Sequence, residues 1–367
     1  MTLQIPFFDG RAVFREIEDR VLQAVQRVLR SGQFILGAEV LAFEQAFATL
    51  TGARFAIAVA SGTDALSLSL RAAGLAAGDR VLTVPNTAPA TAAAIQAVGC
   101  RPIFADVHPD TLLICPEHVE QQMQAEVRAI IPVHLYGQPA PLDHIIALAK
   151  NAGAVVVEDC SHAAGAFDHG LHAGRRGDIG CFSFYPTKPL GGMGDGGICI
   201  TDSDHLAARL RMLRMYGFNE HRICMEPGFN SRLDELQAAI LHERLHVLEQ
   251  QQQHRQRLAE RYTKGLQKTG LRIPLLRSGI THAWHQFVVR VPQRKQLMKA
   301  LQQMGIGTAV HYEHSLHLMP AFAASNGGQR FPQAERAAAE VLSLPCSRHV
   351  SEADADQIVE AVITCLS

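Results

Sequence analysis

Between Arg54 and about Ile200, short apolar runs alternate with stretches of helical, amphipathic spacing. The runs fall at 55–60, 81–84, 102–105, 129–133, 154–158, 180–184 and 197–201. Each is apolar almost throughout, as a strand covered on both faces has to be. Between them the spacing predicts helices over 65–73, 91–98, 116–124 and 142–151, long enough for the crossovers that parallel strands require. This is the pattern of an α/β domain with a largely parallel sheet, where ligands gather at strand ends. A longer polar pattern starts near Leu233 and runs to Leu266, with Leu236, Ile240, Leu245, Leu248 and Leu258 on its apolar side and the glutamines at 250–253 exposed. Beyond Pro274 the rhythm changes to one strand at 284–291, a helix at 294–304, a Gly305-Ile306-Gly307 break and a final helix from Ser351. The expected division is a large domain over 1–245, N-terminal segment included, and a small α+β domain with its connecting helix over 246–367.

Composition agrees with two domains, since 367 residues at 47% hydrophobic content exceed one ordinary compact core. Lys and Arg number 34 against 35 Asp and Glu, a formal charge of -1, so no field gathers nucleic acid or anionic lipid. A small-molecule partner is expected instead. Residues 1–10 show no basic stretch followed by an apolar run, and no segment offers the roughly 20 apolar residues of a bilayer span, so a cytoplasmic protein with no membrane partner is expected. Eight scattered cysteines without a C-x-x-C pair read as small buried hydrophobes rather than a zinc knuckle or disulfide framework. Histidines 282, 285, 311, 314 and 317 lack an accompanying carboxylate cluster, and His282 and His285 read as strand neighbours, so no metal is expected.

Three segments carry chemistry. In Ala60-Ser61-Gly62-Thr63-Asp64-Ala65 an apolar run stops where a helical pattern begins. Free N–H groups, a glycine and two hydroxyls suit a phosphate there, although an ordinary helix cap explains the same residues. In Val155-Val156-Val157-Glu158-Asp159-Cys160-Ser161-His162 a buried run ends in two carboxylates and a histidine. Asp159 at that depth needs a cationic partner such as a protonated ring nitrogen, or else it caps the next turn, while Glu158 points the other way along the pleat. His162 either hydrogen-bonds a ring oxygen or is a satisfied loop histidine. In the third segment, from Ser183 to Gly197, Lys188 stands between Pro186 and Pro189 ahead of a glycine-rich stretch. A lysine is ordinarily a solvated charge, but burial at a strand end lowers its pKa enough to attack an aldehyde. A fourth segment, from Gly228 to Glu235, opens the long helix, with Asn230 or Ser231 as its cap and Asp234 and Glu235 at its positive end.

Together these segments resemble the DegT/DnrJ/EryC1/StrS family of sugar aminotransferases, which make amino sugars for antibiotics and bacterial surface polysaccharides. The resemblance rests on SGTDAL from Ser61, GDRVLTVPNTAPAT from Gly78, IIPVHLYGQPAPLD from Ile130, EDCSHAAGA from Glu158, GDIGCFSFYPTKPLGGMGDGG from Gly177 and NSRLDELQAAIL from Asn230. It implies the type I fold of aspartate aminotransferase and a homodimer with active sites shared between subunits. It implies pyridoxal phosphate held by Lys188 as the Schiff-base lysine, with Asp159 on the ring nitrogen and His162 beside the ring hydroxyl. Gly62, Thr63 and Ser183 resemble the phosphate binders, to which the Ser61 hydroxyl adds a donor, and Asn230 resembles the residue that reaches a phosphate across the dimer.

The implied reaction moves an amine from glutamate or glutamine to a nucleotide-linked keto sugar. The stretch from Arg214 to Phe218, with Val310-His311-Tyr312 and Leu342-Ser343-Leu344-Pro345, is similar to members acting on the third carbon of dTDP-linked 6-deoxy keto sugars. Ala88, Tyr185, His311 and Tyr312 are candidates for the substrate side. Ala88 departs from the family, many of whose members stack an aromatic on the cofactor there. Dehydratase members replace the lysine by histidine, so Lys188 favours transamination. A 4-keto sugar or cyclitol substrate, a sugar dehydratase and a non-catalytic regulator stand as the alternatives.

Overall fold

The computed structural model describes residues 4–324 and 327–366. All seven runs expected between 55 and 201 are strands of one sheet, with ends within three residues of those expected: β1 (Phe55–Val59), β2 (Arg80–Thr83), β3 (Arg101–Phe104), β4 (Val127–Ile130), β5 (Val155–Asp159), β6 (Ile179–Ser183) and β7 (Gly197–Thr201). Their order is β1-β7-β6-β5-β4-β2-β3. Pairing is parallel from β3 through β2, β4 and β5 to β6, while β7 runs antiparallel to both of its neighbours. The α/β expectation holds.

Successive side chains of the buried strands alternate between two cores, the strand period of two. Ile57, Val59, Ile179, Cys181 and Cys199 face one core with the Gly62–Ala72 and Asp204–Leu213 helices. Ala56, Ala58, Phe182, Ile198 and Ile200 face another that holds Phe43 and Phe47 of the Ala38–Thr51 helix. Val59 and Ser183 both pair with Gly197, so the carboxyl ends of β1 and β6 meet at the start of β7. Only glycine fits at that junction, because a Cβ on residue 197 would lie 2.3 Å from the Ser61 carbonyl oxygen.

The long helix is Glu235–Leu266, against which the Glu18–Ser31 and Ala38–Thr51 helices pack. Its start corrects the expected caps. Asp234 stands at the N-cap position without a side-chain bond, and the Ser231 hydroxyl instead donates to Asp64 at 2.6 Å. Glu235 turns away from its own helix and accepts from the N–H groups of Gly37, Glu39 and Val40 at 2.8–3.0 Å, closing the first turn of the neighbouring helix. The glutamine run is also less exposed than its polarity suggests. Gln251 is buried on Glu16, and Gln252 bonds the Gly165 carbonyl.

Toward the C-terminus a strand at Phe287–Arg290 pairs antiparallel with Val341–Leu344. Helices Arg294–Gln303 and Glu352–Leu366 close a core with Leu258, Tyr262 and Leu266 of the long helix. Ile5 joins that core and pairs with Ile306. The elements absent from the sequence reading there include the Pro332–Glu340 helix and the strand that follows at once from Val341. No turn residue separates them to mark the change. The strand expected at 284–291 begins only at Phe287, so His282 and His285 precede it. All eight cysteines are free, but Cys224 is exposed and Cys115 and Cys365 half-buried, which corrects their reading as uniformly buried. No helix among the described residues is long and apolar enough to cross a membrane.

Removing the Glu235 carboxylate strands three backbone N–H groups. The Glu235→Ala variant is expected to lose about 3 kcal/mol of stability in urea unfolding, since hydrogen bonds to charged groups contribute about 1.5–3 kcal/mol each and do not add fully.

Candidate active site

A cavity of about 240 Å³ opens where β1, β5 and β6 end. Nine of the residues singled out from sequence line it: Ser61, Gly62, Thr63, Ala88, Asp159, His162, Ser183, Tyr185 and Lys188. Three do not. His311 and Tyr312 stand behind it, the Tyr312 hydroxyl lying 3.4 Å from His162 Nε2. Asn230 is exposed and contributes a backbone bridge to Met215.

One end of the cavity is built for an anion. The Ser61 side chain takes up the Asp64 N–H at 3.1 Å and its carbonyl takes that of Ala65, which leaves the N–H groups of Gly62 and Thr63 at the positive end of the helix. Cap and anion site are therefore the same structure rather than alternatives. A Cβ on residue 62 would meet Ser183 Cβ at 2.6 Å, so glycine is what lets the Ser183 hydroxyl close on this helix start.

The other end carries Asp159, buried, with Oδ1 accepting from the Ser161 N–H at 3.1 Å and Oδ2 from the Thr91 hydroxyl at 2.9 Å. Glu158 does face the opposite side. Burial pushes its carboxyl up, yet His134 and the N–H groups of Gly177 and Gly174 outweigh burial and hold it below the usual range. His134, Glu158 and Cys160 come close enough together to suggest a metal group. The carboxylate there is already committed to four donors, so the cluster reads as a hydrogen-bonded tie.

Lys188 lies between the two ends. Its loop turns back at once, with its N–H on the Tyr185 carbonyl at 2.8 Å. Burial depresses its pKa from 10.5 to about 8, against the pull of Asp159 in the other direction. The surrounding imidazoles are neutral. Burial, then Lys188 and His311, hold His162 well below 6.5. Its Nδ1 accepts from the Tyr136 N–H at 3.1 Å, so the ring proton sits on Nε2 and the residue offers a donor. Burial and then Lys188 push His311 down to about 4, and its Nδ1 pairs with Ser343 Oγ at 2.8 Å.

Several lining residues escaped the sequence reading. Thr91, Leu66, Val133, Asp195 and Gly196 line the cavity. His285 stacks on His162 with ring centroids 4.4 Å apart. A hydroxyl in the first turn of a helix opened by Pro89 was a usable signal for Thr91. None marked His285, which the pattern assigned to a strand.

Residues 15–363 match the family model described as the DegT/DnrJ/EryC1/StrS aminotransferase family. A "Pleiotropic regulatory protein" of Geobacillus stearothermophilus is 38% identical, covering 98% of each chain. The dTDP-3-amino-3,4,6-trideoxy-alpha-D-glucose transaminase of Streptomyces venezuelae is 39% identical over 98% of this chain and 96% of its own. Among solved structures, S. venezuelae DesV in complex with a ketimine intermediate superposes with a TM-score of 0.97 at 38% identity, covering 100% of this chain and 99% of that one.

Burial, by depressing the Lys188 amine to about 8, gives it its nucleophilic form at a lower pH than an ordinary lysine. Modification of Lys188 by a small aldehyde with borohydride, followed by peptide mapping, should rise with pH through a midpoint near 8. A midpoint near the unperturbed value would contradict the burial of the amine.

Proposed function

The chain belongs to the DegT/DnrJ/EryC1/StrS aminotransferase family of pyridoxal-phosphate-dependent sugar transaminases with the type I fold, and on that premise we propose that it moves an amino group from glutamate or glutamine to a nucleotide-linked keto sugar. A dTDP-linked 3-keto-6-deoxyhexose is the best-supported acceptor, because the S. venezuelae relative is named for a dTDP-linked 3-amino sugar. The observation that carries the proposal is a depressed, enclosed lysine amine set between an anion cradle and a buried carboxylate.

That arrangement fits pyridoxal phosphate at both ends. The N–H groups of Gly62 and Thr63, with the hydroxyls of Ser61, Thr63 and Ser183, would hold the phosphate. Asp159 would pair with the ring nitrogen and keep it protonated. His162, a donor through Nε2, would bond the ring oxygen. The cofactor supplies an aldehyde carbon and an electron-accepting ring. Lys188 would seat it, and its Nζ would carry the proton to and from the substrate carbon. Burial of the amine favours both tasks, since a lysine near pKa 8 passes a proton either way close to neutral pH.

Asn230 is exposed and away from this cavity, which suits a residue serving the phosphate of a second copy. Leu29, Phe34, Leu41 and Met225 are exposed large apolar side chains that a homodimer with shared active sites would cover. Ala88 leaves the cavity without the stacking aromatic, and Tyr185, 53% exposed at the rim, faces the substrate side with His311 and Tyr312 behind.

Borohydride reduction of the protein incubated with pyridoxal phosphate should fix the cofactor on Lys188. The Lys188→Ala variant should lose at least ~10²-fold of glutamate-dependent transfer to a panel of dTDP- and UDP-linked keto sugars, followed by mass spectrometry. Loss of water without amine transfer would move the chain to the dehydratase reading. Absence of both cofactor uptake and turnover would leave the regulatory one, which the name of the G. stearothermophilus relative suggests.

A further inference from the structure

Asp159 is not held by its own strand alone. The Thr91 hydroxyl stands 2.9 Å from Oδ2, with the two residues 1% and 4% exposed. An ionised carboxylate only accepts, so Thr91 donates this bond. Its oxygen is then free to accept, and the Thr87 hydroxyl lies 3.3 Å away. The direction of the chain follows: Thr87 to Thr91 to Asp159. The Ser161 N–H donates to the other oxygen, Oδ1, at 3.1 Å. Each carboxylate oxygen thus holds one fixed protein donor and retains acceptor capacity toward the cavity that Asp159 lines.

We propose that Thr91 is a positioning residue whose hydroxyl, backed by Thr87, sets the plane of the Asp159 carboxylate for a protonated ring nitrogen in the cavity. The inference rests on the pyridoxal phosphate reading above. The torsion that turns a carboxylate is soft, so one donor per oxygen is what keeps its remaining lone pairs aimed in one direction. Thr91 suits the task because it sits in the first turn of the Pro89–Ala97 helix, where its branched side chain has few rotamers to lose. The pair is separated by 68 residues, so a helix start and a strand end are locked together at the site.

Substitution separates this role from packing. Thr91→Val keeps the shape and removes the hydroxyl, while Thr91→Ser keeps the hydroxyl and removes the methyl. Full-length wild type, T91V and T91S would be loaded with pyridoxal phosphate. Two readouts follow: the rate of cofactor release, and the pH titration of the bound cofactor's visible absorption. T91V should release cofactor about tenfold faster, the loss expected for one hydrogen bond to a charged group, with a displaced titration, and T91S should stay near wild type. The opposite ranking, with T91V unchanged and T91S impaired, would overturn the proposal in favour of packing. T87V removes only the outer hydroxyl and should move both readouts the same way by a smaller factor. Unchanged release and titration in T87V would overturn the relay even if T91V failed to fold. A wild type that takes up no cofactor sinks the reading of the site and this inference together. Uptake by wild type with T91V matching it sinks the inference alone.

Discussion

Glu158 carries a carboxylate wholly removed from water, and the frame of the site follows from how the chain meets its hydrogen-bonding demands. Oε2 accepts from His134 Nε2 and the Gly174 N–H, Oε1 from the N–H groups of Arg176 and Gly177. His134 takes the Ala140 N–H on Nδ1, so a neutral ring already has its proton on the nitrogen that faces Glu158. A buried carboxylate left unpaired would cost several kcal/mol, so these bonds hold three separate segments in place. One is the turn after β4, another the end of β5, and the third leads through Gly177 into β6. Asp159 projects from the opposite side of the same strand end, and Ser183 stands at the end of β6 with Lys188 five residues on. The rigid face of β5 thereby aims the reactive one.

Among the described residues, Lys188 is the one adjustable cation that lines the cavity. Histidines 162, 285 and 311 all surround Lys188 in forms that burial keeps neutral. Protonation of any of them would add a second positive charge beside the amine, so their neutrality gives Lys188 the freedom to gain and lose its proton near neutral pH. The phenol of Tyr312, raised by burial and then by Asp159, stays protonated next to His162. Asp159 is the buried carboxylate of the cavity lining, and Thr91 and Ser161 hold it where an incoming ring cation would need it.

The antiparallel strand β7 is what closes the anion end of the cavity. By running back between β1 and β6 it brings the helix start at Gly62 against Ser183, and the two glycines at 62 and 197 remove the side chains that would hold these backbones apart. In a purely parallel sheet of the same strands another crossover would intervene there. Membership of a sugar transaminase family is consistent with this economy, since Ser61 to Thr63, Asp159, Ser183 and Lys188 all stand at or just beyond the ends of three strands.

The sequence by itself determined the seven strands of the large sheet and the residues at their ends, including Ser61 to Thr63, Asp159, Ser183 and Lys188. Burial on both faces writes a strand as an unbroken apolar run, and a polar residue where that run stops is visible without knowing its neighbours. Tertiary structure decided the rest. An apolar run does not say which way its strand points, so β7 could be recognised as a strand but not as the reversed one. The strand at Val341–Leu344 was hidden because it continues a helix without a break. The Thr91 to Asp159 and His162 to His285 pairings join residues far apart in the chain, and Glu235 serves a neighbouring helix rather than its own. Hydrophobic periodicity records which face of an element is buried. Which polar groups then meet depends on how the faces pack, and that is set only when the whole chain closes around them.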